Sequence, residues 1–139
     1  MNWKSSLHIG FNKGLKTTWN LIKIIVPVSI FVSVLNETPI MDWLTVLFQP
    51  AMGIFGLPAE AAIVLVLGFV SGLYAAIGAI VSLSLTTQEI LIIAVMLSFA
   101  HNMVVESAVT TRLGVPLKLV LGLRLGLAAF FGILLNVVF

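Results

Sequence analysis

Apolar residues recur every four positions at the start of the chain, at Trp3, Leu7, Phe11, Leu15 and Trp19, with Lys4, Lys13 and Lys16 set off that stripe. This period predicts an amphipathic helix over residues 1–20, lying in the plane of a membrane interface. From Leu21 to Leu35 (LIKIIVPVSIFVSVL) the apolar character is continuous. That block is about 15 residues, slightly short for a crossing, so the interfacial helix must supply a further turn. Pro27 is placed to kink it. NETP at 36–39 is a polar turn, and Met41 to Leu57 is a second apolar block, interrupted by Pro50 and Gly53 and ended by GLPAE at 56–60. Ala61 to Leu85 is long enough to cross, TTQE at 86–89 is a loop, and Ile90 to Thr111 is the next span. RLGVP at 112–116 stops that span with glycine and proline, and Leu117 to Phe139 is the last.

Composition fixes the solvent these blocks meet. Of the 139 residues 60% are apolar and 9% charged, whereas a soluble domain is about a quarter charged. The chain is therefore expected to be an all-α integral membrane protein, a single membrane domain over 1–139, with the lipid bilayer as its first partner. Its bundle, 21–139, holds about five transmembrane helices; the alternative is four plus a re-entrant segment at Met41 to Leu57. Five crossings place Lys4, Lys13, Lys16 and Lys23 on the same side as Arg112 and Lys118, while the opposite loops, NETPIMD and TTQE, hold no Lys or Arg. That bias sets a multi-pass protein of the cell membrane with a cytoplasmic N-terminus. The four-span alternative puts Arg112 and Lys118 on the wrong side, so the charges favour five. The N-terminus shows no signal-peptide pattern, and the first apolar block is expected to stay in the mature protein. With no cysteine there is no disulfide or thiolate chemistry. The net charge of +2 reflects lysines near the membrane; no basic run suits nucleic acid, which is not an expected partner.

The rare polar groups are not scattered. The middle of the 61–85 segment reads GFVSGLYAAIGA, where Gly68, Gly72 and Ala76, and also Ser71, Ala75 and Ala79, repeat at four-residue spacing and form a seam for close backbone approach. The middle of the 90–111 segment carries LSFAHNMVVESAV. On a continuous helix Ser98, Asn102, Glu106 and Thr110 make one narrow polar stripe, which must face the bundle interior or a cavity. Two readings stay open: the stripe is hydrogen-bonding glue between helices, with Glu106 in a structural ion pair, or it contacts a solute. His101 points roughly 140° from Glu106 on an unbroken helix and joins a site only if the helix unwinds there. Glu106 and Arg124 are the charges furthest from any loop, at depths of roughly 9 and 12 Å from the same face, and a mutual ion pair is the economical arrangement.

Enzyme chemistry is not expected. A hydrolase built from Ser107, His101 and Glu106 fails because His101 and Ser107 stand about 240° apart on a helix. Metal ligation by His101 and Glu106 fails on the same geometry, and no phosphate loop, dinucleotide fingerprint or other cofactor motif is present.

The small-residue helix GFVSGLYAAIGAI, a short polar loop, and then LSFAHNMVVESAVTTRLGVP resemble the nucleoside-recognition or Gate domain. Concentrative nucleoside transporters, the membrane part of bacterial ferrous iron transporter B, and spore maturation proteins A and B share that domain. The resemblance covers mainly residues 20–114. It implies an all-helical membrane domain with broken helices and, in the transporters, a solute site near the midplane. The positions matching such breaks are Ser71 and Gly72 in one segment and His101, Asn102, Glu106 and Ser107 in the other; Ser98 joins them through the polar stripe. The transporters are several times longer, and the GTP-binding domain of iron transporter B has no counterpart here. Enclosing a pathway then needs a homo-oligomer, a dimer through Gly122 and Gly126 and the Gly68/Gly72/Ala76 seam, or a second membrane subunit. Two functions follow as expectations: a small transporter or transporter subunit for a small polar solute, nucleoside-like if the resemblance extends that far, with Asn102 and Ser71 as hydrogen-bonders and Glu106 as a charge or proton-coupling site; or a non-transporting assembly protein of the spore-maturation type.

Overall fold

The computed structural model describes residues 3–139, the side chain of Lys4 excepted; Met1 and Asn2 of the expected first helix lie outside the described residues. Seven helices follow in order: α1 (Trp3–Asn36), α2 (Pro39–Ile54), α3 (Ala61–Ser71), α4 (Leu73–Ile80), α5 (Thr87–Ala100), α6 (Met103–Arg112) and α7 (Leu117–Val138). Among the described residues three stretches are long and apolar enough to cross a membrane: Ser5–Asn36, Thr87–Arg112 and Leu117–Val138.

Residues 3–36 form one uninterrupted helix that passes through Pro27, so the Trp3–Trp19 stripe runs into the first apolar block without a loop. Gly10 and Gly14 weaken helix by about 1 kcal/mol each but do not break it, and nothing else between them and Pro27 ends the backbone ladder.

The Ala61 to Leu85 segment is not a single span. A Cβ placed on Gly68 would stand 3.2 Å from that of Ala76, although residues eight apart on one helix are separated by about 12 Å. The chain therefore folds back between α3 and α4. Gly72 makes the reversal at φ 99°, a conformation that side-chain-bearing residues rarely adopt, and its N–H closes α3 on the carbonyls of Leu67 and Gly68. Small residues then let the two arms approach. Gly68 and Ala76 are consumed inside this hairpin and offer no seam to a second molecule.

The α2 block is not a span either. Asn36, which precedes it, and Pro58 and Glu60, which follow it, line one polar cavity with Leu83, Ser84 and Leu85. The Asn136 amide near the end of α7 donates to the carbonyl of Ile54, the last residue of α2, at 3.1 Å. Both ends of α2 thus lie at one end of the bundle. TTQE proves to be a helix start: the Glu89 N–H donates to Thr86 Oγ1 at 3.3 Å and the Thr86 N–H donates to Glu89 Oε2 at 2.7 Å, a capping box that launches α5.

Packing sets the directions. Gly78 meets Ile25 and Val28, and Ser29 and Ser82 are bonded at 2.8 Å, so α4 runs parallel to α1. Leu97 packs on Gly68, and Gly132 meets Met96 and Phe55, so α5 runs with α3 and α7 runs back against α5. The core gathers Val32, Val64, Leu65, Ala76, Ile92, Ile93, Met96, Leu97 and Ala128, and the rings of Phe99 and Phe131 stack at 4.9 Å. Lys13, Lys16, Arg112 and Lys118 fall at one end of this arrangement.

The α1–α4 contact rests on Gly78, where a Cβ would meet the Ile25 carbonyl oxygen at 2.8 Å. Gly78→Val should cost about 1–3 kcal/mol through overpacking against backbone that cannot rotate away. Its melting temperature in detergent should drop accordingly, while Gly53→Ala, in open space within α2, should not lower it and should gain the helix preference of alanine.

Candidate functional site

Two interruptions face each other midway along the bundle. One is the hairpin tip, Ser71–Gly72. The other lies between α5 and α6, where His101 takes extended backbone (ψ 151°) and Asn102 takes the left-handed conformation (φ 52°, ψ 38°), the one non-glycine residue with positive φ among those described. The Asn102 N–H donates to the Gly68 carbonyl at 2.9 Å, so the breaks are tied through backbone. Around them Ile24, Ser71, Gly72, Leu73, Tyr74, His101 and Asn102 line a cavity of about 340 Å³.

Both helices that start here start uncapped. Gly72 precedes α4 and Asn102 precedes α6, and neither provides a side-chain cap. Their first-turn N–H groups therefore have no partner within their own helices. The Ser71 hydroxyl, the Asn102 amide, the Tyr74 phenol and the His101 ring, beside the first turn of α4, give the cavity several donors and acceptors against the apolar walls of Ile24 and Leu73.

Beside the cavity stands Arg124 of α7, whose guanidinium pairs with Glu106 Oε2. Its Nε donates to the Phe99 carbonyl at 2.6 Å and one terminal nitrogen reaches the His101 carbonyl at 3.5 Å. One side chain thus holds the end of α5 and the first turn of α6 together. The unwinding brings His101 to Glu106, with Nε2 3.8 Å from Oε1, while Nδ1 lies 2.9 Å from the Leu97 carbonyl.

Other expected site residues stand apart. The break disrupts the stripe drawn on a continuous helix, and Ser98 is exposed on α5 with its hydroxyl donating to the Val95 carbonyl at 2.7 Å. Ser107 lies on α6 away from the cavity wall, its carbonyl accepting from Thr111 Oγ1 at 2.6 Å; Thr110 donates in the same way to the Glu106 carbonyl. Tyr74 and the Gly68 carbonyl are members that sequence reasoning missed. Tyr74 had a signal, as the only tyrosine of the chain, set inside a run of small residues. The carbonyl had none.

Arg124 binds two carbonyls besides Glu106, so losing it should cost more than losing the carboxylate. Arg124→Gln is expected to cost about 2 kcal/mol and Glu106→Gln about 1 kcal/mol, discounted because Glu106 is 41% exposed. Denaturation of both single variants and the double variant should give a coupling of about 1 kcal/mol; simple additivity would show that the pair contributes nothing.

The chain matches the family described as nucleoside recognition, the Gate domain, over residues 18–117. It is 48% identical over 129 residues to the uncharacterized membrane protein YvoD of Bacillus subtilis (strain 168), a match covering 93% of this chain but 41% of that protein. The chain thus spans about two fifths of the length of this relative. No solved structure matches. The family match takes in both interrupted segments, the hairpin tip and the α5–α6 break, and on that extent the chain belongs to the nucleoside-recognition (Gate) family.

Proposed function

We propose that this chain is a membrane transport module that binds a small polar solute in the cavity between the hairpin tip and the α5–α6 break. The observation that carries the reading is the meeting of two interrupted helices around one cavity with uncapped N–H groups and hydroxyl, amide and imidazole side chains. Backbone left unpaired at membrane depth is tolerated where it lines a water-filled or solute-filled space. Asn102 and Ser71 serve as hydrogen-bonders, and Arg124 and Glu106 hold the broken helix open. The family's association with nucleoside recognition makes a nucleoside-like compound the first solute to try.

Three crossings, with the hairpin entering from the far side, orient the protein. Lys13, Lys16, Arg112 and Lys118 lie together at one end, which the positive-inside bias makes cytoplasmic. Single cysteines at Ser71 and Asn102 should react with a water-soluble maleimide in membranes, and one at Ile93, fully buried in the core, should not. Equal protection at all three positions would mark a dry interface and favour an assembly protein that carries no solute.

The module is completed by a second copy. Gly122 and Gly126 have open space above them on α7, and Leu119, Leu123 and Phe130 are exposed on the same helix. Packing against such small residues is a strong mode of association in lipid. Gly126→Leu should raise the dimer dissociation constant about tenfold, read by detergent-corrected mass across a dilution series; a wild-type protein that is monomeric throughout would remove the dimer from the reading.

A further inference from the structure

The His101 ring has one nitrogen whose state is decided by its partner. Nδ1 lies 2.9 Å from the Leu97 carbonyl oxygen. That oxygen can only accept, so Nδ1 carries hydrogen. A neutral imidazole has a single N–H, which leaves Nε2 with a bare lone pair. Nε2 faces Glu106 Oε1 at 3.8 Å, while the other carboxylate oxygen is taken by Arg124. Two electron-rich atoms therefore confront each other with no hydrogen between them. One proton on Nε2 turns that opposition into an ion pair.

We propose that His101 Nε2 is a proton-binding site in the wall of the cavity, made ready by Glu106. The proton arrives from water through the cavity, since the ring lines it and its side chain is 41% exposed, and it leaves the same way. The charged and titratable groups around the ring come from four elements. Arg124, from α7, already holds Glu106 and the carbonyls of Phe99 and His101. Tyr74, from α4, shares the cavity wall. Lys23, on α1 beside Ile24, directs its ammonium over the Trp19 ring at 5.6 Å, one turn away. Without the proton, His101, Glu106 and Arg124 sum to zero charge; with it they carry one positive charge beside Ser71 and Asn102, which strengthens the hold on an acceptor-rich solute. The inference rests on the transport reading only for the use made of the proton, which would be the co-ion.

The test needs no solute. Protein carrying His8→Gln retains one histidine; labelled with nitrogen-15 histidine in lipid nanodiscs, it is followed by NMR as pH is lowered. The ring should keep hydrogen on Nδ1 throughout and gain it on Nε2. The hydrogen on Nε2 should then show the downfield proton signal of a hydrogen bond to a carboxylate; that signal should move upfield in Glu106→Gln, and Glu106→Asp, which keeps the charge and guards against loss of fold, should restore most of it. A neutral ring with hydrogen on Nε2, or a protonated Nε2 whose signals are identical in Glu106→Gln and the parent, would overturn the proposal. Uptake of labelled uridine into vesicles is a separate readout: its absence beside an intact Nε2–Glu106 signal would count against the transport reading and leave the proton site standing.

Discussion

The fold turns on Arg124. A helix broken inside a membrane exposes carbonyls at its first half and N–H groups at its second, and lipid satisfies neither. Arg124 answers for the carbonyls of Phe99 and His101 and pairs with Glu106 in the first turn of α6. Its planar fork reaches several acceptors at once, which a lysine ammonium on the same stem would do less well. The anchoring helix is α7, which packs along α5 and closes with the Phe99–Phe131 stack. The position of the break is thereby set from outside its own segment.

The hairpin depends on the complementary device, the absence of side chains. Gly72 reverses the chain at φ 99° and its α-carbon faces Asn102, whose Cβ would be 3.6 Å from a methyl group placed there. Gly68 leaves room for Leu97, and Gly78 leaves room for the α1 backbone. Each glycine sits where a different neighbour comes close, so Gly68 and Gly72, whose four-residue spacing resembles a dimer seam, serve separate contacts within one chain.

Much of this was legible in the residues, and the failures have a common cause. The apolar blocks, the glycine and proline stop at 112–116 and the two regions of interruption stood in the sequence because composition and turn chemistry are local, whereas the capping box at 86–89 read as a loop. Whether a block crosses or returns is not local. Residues 61–85 are long enough to span, and only the packing of Gly68 on Ala76 shows that they fold back. Residues 41–57 read equally as span or surface helix until Asn36, Pro58 and Glu60 meet around one cavity. These two changes each remove one crossing, so together they leave Arg112 and Lys118 at the same end as Lys13 and Lys16. A charge pattern that counts crossings by parity is satisfied by five crossings or by three and is uninformative about the number. Ser98 and Ser107 entered the site on the assumption of a continuous helix, and the break that admits His101 is what excludes them.

The tie between the breaks is more consequential than either break alone. The Asn102 N–H bonds to the Gly68 carbonyl, a group four residues before the hairpin turn that also accepts from Gly72. Asn102 therefore cannot shift without disturbing the end of α3, and the hairpin tip cannot shift without pulling on α6 and, through Glu106, on Arg124. A solute held in the proposed site would press on a chain of hydrogen bonds and one ion pair that runs from α3 to α7. In an apolar bundle where nearly every other contact is nondirectional, that polar chain is the path by which occupancy of the cavity would reach the rest of the protein.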